Sequence, residues 1–305
     1  MSEYSIGVDL GGTNLRAAAM DPAGNLLKKT AAATNVEAGR EAVIGDIVGA
    51  VAGLRDQLGP EELVGVGIGV PGFIRLEEGM IVGSHNLPFF NEFPLRDEIR
   101  RRLGRPVILE NDANAAALGE KWRGAGQDVN DLVLLTLGTG IGGGIISGGK
   151  VLHGRDGMGG ELGHMTVAPN GNPCGCGNVG CMEKHASATA LEAMAKLVSL
   201  GDNLTAKQVY ELAVEGNPLA RHCFECMGRA LGIGLATLIN IFNFPLYLLS
   251  GGPLPAWDFF APAMLSEIAR RSFTFRNTHT RVEKAILGNQ AGLFGAAYLP
   301  FLERP

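Results

Sequence analysis

Three short apolar runs open the chain, at residues 4–10, 15–20 and 26–33, separated only by GGTN and DPAGN. Runs of that length with such tight links predict strands joined as antiparallel hairpins. A helical pattern follows over 37–58. The continuous run LVGVGIGV at 63–70 then reads as a buried strand ended by Pro71-Gly72. Phe93-Pro94 opens a charged helix reaching residue 103, PVILE at 106–110 is a further short strand, and AAALGEKW after NDAN turns helical. The opening theme then returns: a strand at 132–137, the turn GTG, and a partner strand at 141–146. Two strand–glycine turn–strand arrangements in one chain predict a duplicated domain with a cleft between the copies. From residue 189 helices dominate, including a long one over 218–242; the strand LYLLS at 246–250 and a last helix over 289–302 complete the pattern.

Residues 230–257 carry no charge and are long enough to cross a bilayer. Asn240, Asn243, Pro245 and Ser250-Gly251-Gly252 interrupt them, which predicts a buried helix and a buried strand and no membrane span. The chain has 305 residues, enough for two domains, with 46% hydrophobic and 19% charged residues, a globular composition. Its 45 glycines exceed the usual share and point to tight turns and close backbone approach to a ligand. The net charge is −5, and the one basic cluster, Arg100-Arg101-Arg102 with Arg105, sits at a helix end where the dipole favours cations. Nucleic acid is thereby excluded as an expected partner. The start MSEYSIGVDL has no secretory pattern, and an odd number of cysteines, five, fits a reducing, cytoplasmic setting.

Candidate chemistry gathers at four places. In VDLGGTN, Asp9 ends a strand and Gly11, Gly12, Thr13 and Asn14 follow; the turn suits a phosphate cradle and equally a plain hairpin. LGTGIGGG repeats the turn with Gly138, Thr139 and Gly140, and matches neither a P-loop nor a dinucleotide fingerprint. Two such turns facing across a cleft suit the successive phosphates of one nucleotide. Asn111 and Asp112 stand where a strand meets a helix, as a helix cap or as the carboxylate that phosphoryl transfer needs to take a hydroxyl proton.

The fourth place is ELGHMTVAPNGNPCGCGNVGCMEKHA at 161–186, where His164, Cys174, Cys176 and Cys181 have the spacing H-x9-C-x-C-x4-C. Three thiolates and an imidazole form a closed structural zinc set, favoured over a disulfide because one residue between Cys174 and Cys176 strains direct pairing. Cys223 and Cys226 fall in a helical apolar pattern and read as helix cysteines. His185 reads as loop packing or a subunit contact.

DLGGTN, GVPG, ENDANAAALGE, LGTGIGGG, ELGH and CGCGNVGCME, in this order across nearly the whole chain, resemble the ROK family of sugar kinases and repressors, and within it the bacterial glucokinases. The resemblance implies a two-domain α/β fold of the actin-like, hexokinase-like (ribonuclease H-like) ATPase type with an interdomain cleft. The expected domains are 1–112 plus 288–305, and 113–287 with the zinc loop; the final helix returns to the first. It implies ATP-dependent phosphorylation of a hexose 6-hydroxyl, glucose above all, with mannose, fructose, allose or an N-acetylhexosamine as rivals. A sugar-responsive repressor is the other class in the family, and DLGGTN at the chain's start leaves no room for its DNA-binding domain.

By the same resemblance Asp112 is the base, and Asn111, Glu161, His164, Glu183 and Gly72 bind the sugar, with His85 and Asn86 beside it. Asp9 holds Mg²⁺, through water. Gly11, Gly12, Thr13, Asn14, Gly138, Thr139 and Gly140 surround the ATP phosphates, and Gly251 and Gly252 lie near the adenosine. The zinc ligands are the same four residues, His164 offering one ring nitrogen to zinc and the other to the sugar. A homodimer is the expected assembly.

Overall fold

The computed structural model describes residues 3–84 and 86–303. The strands are β1 (Tyr4–Leu10), β2 (Asn14–Met20), β3 (Leu26–Ala33), β4 (Leu63–Val70), β5 (Phe73–Arg75), β6 (Met80–Gly83), β7 (Val107–Asn111), β8 (Leu132–Leu137), β9 (Ile141–Ser147), β10 (Lys150–Val151), β11 (Leu246–Gly251) and β12 (Arg281–Lys284). The helices are α1 (Arg40–Leu58), α2 (Leu95–Leu103), α3 (Asp112–Arg123), α4 (Glu183–Ala186), α5 (Ala188–Leu197), α6 (Ala206–Val214), α7 (Pro218–Phe242), α8 (Trp257–Arg271), α9 (Phe273–Asn277) and α10 (Ala291–Leu302). One sheet has the order β3-β2-β1-β4-β7 and another β10-β9-β8-β11-β12, so the strand–turn–strand theme does recur.

In the first sheet the opening hairpins are antiparallel, while β1, β4 and β7 run parallel with their carboxyl ends on one edge. Alternation in β1 and β4 explains how the sheet is covered. Tyr4, Ile6, Val8, Val66, Ile68 and Val70 pack into one core with Val43, Ile44, Ile47 and Ile99 of α1 and α2. The positions between them, Ser5, Gly7, Gly65 and Gly67, are small because α10 lies on that face. The Ser5 hydroxyl donates to Ala297 O at 2.5 Å, and a Cβ at Gly67 would stand 1.9 Å from Ala296 O. The apolar run of β4 is thus buried on both faces, one by side chains and one by a helix backbone. As expected from the resemblance, the last helix returns to the first sheet.

The compact units differ from the expected domains. One comprises the chain up to Asn130, Gly144–Gly160 and everything from Ile286; the other comprises Asp131–Gly143 and Glu161–Ala285. The expected boundary after residue 112 fails because α3 packs on α10 and stays with the first sheet. A Cβ at Gly119 would meet Ala291 O at 2.1 Å, one at Gly295 would meet Ala115 O at 1.6 Å, and Trp122 stacks on Tyr298 at 4.7 Å. Residues 144–160 join the first unit too, where His153 meets Glu110. The return falls at 286, two residues before the expected 288, because the backbone N–H groups of Ile286 and Leu287 donate to the buried Glu120 carboxylate.

The helix expected over 37–58 begins only at Arg40: Gly39, at φ 82°, separates it from a 3₁₀ turn at Val36–Ala38. The β5–β6 hairpin, β12 and α8 add to the expected elements. In the second unit the uncharged stretch is helix followed by strand, as its interruptions predicted: α7 and β11. Among the described residues α7 is the one helix long and apolar enough to cross a membrane. Its Gly228 lies against the backbone of α8 at Phe260, and Leu231, Leu235 and Leu238 are buried.

Two glycine substitutions separate these effects. Gly295→Ala should lower unfolding free energy by about 2–4 kcal/mol, because its methyl group has nowhere to go. Gly49→Ala, on the open face of α1 with nothing within 4 Å, should raise it by about 0.5–1 kcal/mol. Urea titration of both variants against the parent checks the signs.

Candidate active site

The carboxyl ends of β1, β4 and β7 carry the first unit's candidate residues side by side, an edge where parallel sheets present ligand groups. Asp9 ends β1. Burial pushes its carboxyl above the usual range, opposed by Arg16, whose Nε is 3.7 Å away. A Cβ at Gly292, at the start of α10, would lie 3.3 Å from Asp9 Oδ1 and 3.9 Å from Asp112 O, so Asp9 and Asp112 flank that helix start. In the turn after Asp9, Gly11 N donates to Asn14 O (2.8 Å), Thr34 Oγ1 donates to Gly11 O (2.9 Å) and Asn14 Nδ2 donates to Thr13 Oγ1 (3.0 Å). A Cβ at Gly12 would stand 3.7 Å from Asn86 Cβ. His85 lies outside the described residues.

The choice of cap at α3 is Asn111. Its Oδ1 accepts from Ala113 N (2.9 Å) and Asn114 N (3.2 Å), and its Nδ2 donates to Gly72 O (3.2 Å), which binds β7 to the bend after β4. Asp112, whose Oδ1 accepts from Ala113 N, is exposed. Asn111 thus takes two of the N–H groups at the helix start, and the Asp112 carboxylate stands at the solvent-exposed strand edge. Beneath it lies a residue the sequence reading passed over. Glu110 is only 3% exposed; its Oε1 accepts from Asn111 N (2.9 Å) and Asn114 Nδ2 (3.1 Å), and its Oε2 is 2.7 Å from His153 Nε2. A buried acid at a strand end was the available signal, but its partner stands 43 residues away.

In the second unit the turn after β8 is closed by Gly138 N donating to Gly140 O (2.9 Å). Ala188 N and Thr189 Oγ1 donate to the carbonyls of Gly138 (2.9 Å) and Thr139 (2.8 Å). β11 runs parallel beside β8, with Gly251 opposite Leu137 and Gly252 N donating to Leu137 O at 3.0 Å, so Gly251 and Gly252 join that turn. Glu183 reaches the same turn. Its Oε2 accepts from Ile141 N at 3.1 Å, in space that a side chain at residue 140 would fill.

The four zinc candidates converge. The ligand atoms of His164, Cys174, Cys176 and Cys181 all lie within 4.8 Å of one another. Cys174 Sγ is 3.6 Å from His164 Nδ1, and Cys176 Sγ is 3.6 Å from Cys181 Sγ. Tetrahedral bonds of about 2.3 Å to sulfur would set ligand atoms about 3.7 Å apart, so the donor set fits such an ion. Burial pushes the Cys181 thiol up to about 12, and the Asn178 backbone holds Cys176 below its usual range. All five cysteines are free thiols.

His164 turns Nδ1 to the sulfurs and Nε2 to Glu161, 3.8 Å from Oε2. Burial raises the Glu161 carboxyl, the His164 ring opposes this and Glu183 adds to it. His185 packs within this loop, its Nε2 accepting from Asn172 N at 3.3 Å, and burial lowers its pKa. Cys223 is buried on α7, and Cys226, one turn on, lies 3.5 Å from His222, outside the zinc set.

The ROK family model matches residues 5–301. The chain is 40% identical to the glucokinase of Thermotoga maritima over 96% of this chain and 95% of that one. A ROK hexokinase from Thermus thermophilus superposes with a TM-score of 0.89 at 37% identity, covering 98% of both chains. A ROK family glucokinase from Streptomyces griseus, solved in complex with glucose and AMPPNP, gives 0.79 at 36% identity, covering 97% of this chain and 98% of that one. The chain belongs to the ROK family, with the actin-like α/β fold of its hexokinases and glucokinases.

Proposed function

We propose that this protein is a glucokinase, transferring the terminal phosphoryl group of ATP to the 6-hydroxyl of glucose. The observation that carries the reading is the division of labour at β7: Asn111 caps α3, and Asp112 is left exposed at the strand edge beside Asp9. The family relatives named glucokinase, and the glucose complex of one of them, favour glucose among hexoses. Asp112 accepts the 6-hydroxyl proton as the oxygen attacks phosphorus. The second hydrogen of Asn111 Nδ2, Gly72, Glu161, His164 Nε2 and Glu183 hold the sugar hydroxyls. Thr13 and Asn14 with Gly11 and Gly12, and Thr139 with Gly138 and Gly140, take the phosphates. Gly251 and Gly252 border the adenosine.

Asp9 would hold Mg²⁺, which when bound neutralises phosphate charge. A carboxylate destabilised by burial and countered by one arginine at 3.7 Å suits such a cation. His164, Cys174, Cys176 and Cys181 would hold zinc, a closed set that orders a loop rather than activating water. With Nδ1 committed to that set, the Nε2 proton of His164 is fixed toward the substrate side. Cysteines unpaired by disulfides suit a reducing, cytoplasmic setting; a homodimer is the expected assembly.

Asp112→Asn should cut kcat about 10²- to 10⁴-fold with the glucose Kd little changed, read by coupled assay and calorimetry; an undiminished rate rejects the base. Across a hexose panel, kcat/KM should be highest for glucose, and another sugar ahead of it would reassign the substrate. Metal analysis should find about one zinc per chain, lost with order in 164–185 in Cys176→Ser.

Asp9→Asn should abolish Mg²⁺-dependent turnover while holding or raising the Tm of the ligand-free protein at pH 7. Because folding raises this carboxyl's pKa, its ionised form costs stability above the carboxylate range and nothing once protonated, so any gain should vanish in acid. Thermal melts at several pH values check the sign.

A further inference from the structure

Glu110 and His153 take no part in the roles above, yet their contacts enclose the residue that does the chemistry. Glu110 Oε1 accepts from the backbone N–H of Asn111, one residue before Asp112, and from the side chain of Asn114, two residues after it. One carboxylate oxygen therefore holds both sides of the strand–helix junction. The other oxygen is 2.7 Å from His153 Nε2. The carboxylate is 4% exposed and the imidazole 32%, so the ring is the group that fixes the buried acid's rotamer from the solvent side.

His153 is itself held. Its carbonyl accepts from Gly159 N at 2.7 Å, closing the loop 153–159, and a Cβ at Gly157 would stand 2.3 Å from Ile74 O, so this loop lies directly on β5. Two residues after Gly159 the chain reaches Glu161. We infer that Glu110 and His153 are a positioning pair for phosphoryl transfer: the imidazole orients the buried carboxylate, and the carboxylate fixes the junction that aims Asp112. The inference rests on the assignment of Asp112 as base. A carboxylate has oxygens enough for all three partners, whereas without His153 its second oxygen is buried without that donor and the acid is free to turn away from Asn111 and Asn114.

A matched pair of substitutions tests it. Gln at 153 can put an amide N–H near the position of Nε2, while Met has nearly the same length and no donor. His153 lines a cavity of about 640 Å³ with Leu76, Val107, Leu118 and Leu299, which leaves room for either side chain. His153→Met should lower kcat on the order of tenfold to a hundredfold, the scale of a misaimed catalytic group, with KM for ATP and glucose little changed. His153→Gln should recover most of that loss. Hydrogen exchange of the amides at 111–114 should be faster in the Met variant than in the Gln variant, whether or not the enzyme turns over.

Equal kcat and equal exchange in the two variants overturns the pair. An inactive parent, or an Asp112→Asn enzyme as fast as the parent, removes the kinase reading instead. Faster exchange in His153→Met would then still uphold the clamp on the junction. If the Met variant does not fold, His153→Leu, which also lacks a donor, takes its place beside His153→Gln, with the same two readouts and the same deciding outcomes.

Discussion

The backbone of α10 rests directly on β1 and β4, and that close approach depends on positions without side chains. A Cβ at Gly7 or Gly67 would stand 2.4 or 1.9 Å from a carbonyl of the helix, closer than any packed atom tolerates. The same helix meets α3 through Gly295 and Gly119. Its start therefore sits at a set depth over the strand ends, with Gly292 between Asp9 and the carbonyl of Asp112. The separation of the two acids follows from helix–sheet contact more than from any bond between them. The glycine-rich composition thus has a structural share, in helix packing, beside the share taken by turns.

Hydrogen-bond allocation separates the acids whose charge is answered inside the protein from those left at the strand edge. Glu110 and Glu120 are both buried and both accept backbone N–H groups, so their charge is answered within the protein. Asp9 has less: one arginine at 3.7 Å and a carboxyl raised by burial. Asp112 is exposed, its capping duty mostly assumed by Asn111. In the second unit Glu183 is divided between the turn at Ile141 and its neighbours, and Glu161 stays within reach of His164. The three sulfurs and the imidazole behind them join the loop 164–181 at one point, and His185 pins its far side through Asn172.

Most of the strands and long helices were legible in the chain because burial leaves a period. β4 alternates glycine with aliphatics, α7 keeps a buried apolar stripe between a proline and an αL asparagine, and both opening hairpins are bounded by short polar turns. The convergence of the four candidate metal ligands was legible as well, since their types and spacing are local. Short edge elements such as β5, β6 and β12 were not, because a few half-buried residues carry too little pattern.

By itself the sequence determined the family, the two glycine turns, the four metal-ligand candidates and the carboxylate at the end of β7, all features whose cause lies within a few residues. Only the tertiary structure decided that Asn111 and not Asp112 caps α3, that α3 belongs with the first sheet, and that Glu110 has His153 as its partner. Those outcomes depend on groups brought together from positions 9, 72, 110, 153 and 292, and no local period records a contact across such separations. Side-chain hydrogen bonds and backbone close approach are satisfied pairwise in space, so their assignment appears only when the chain has packed.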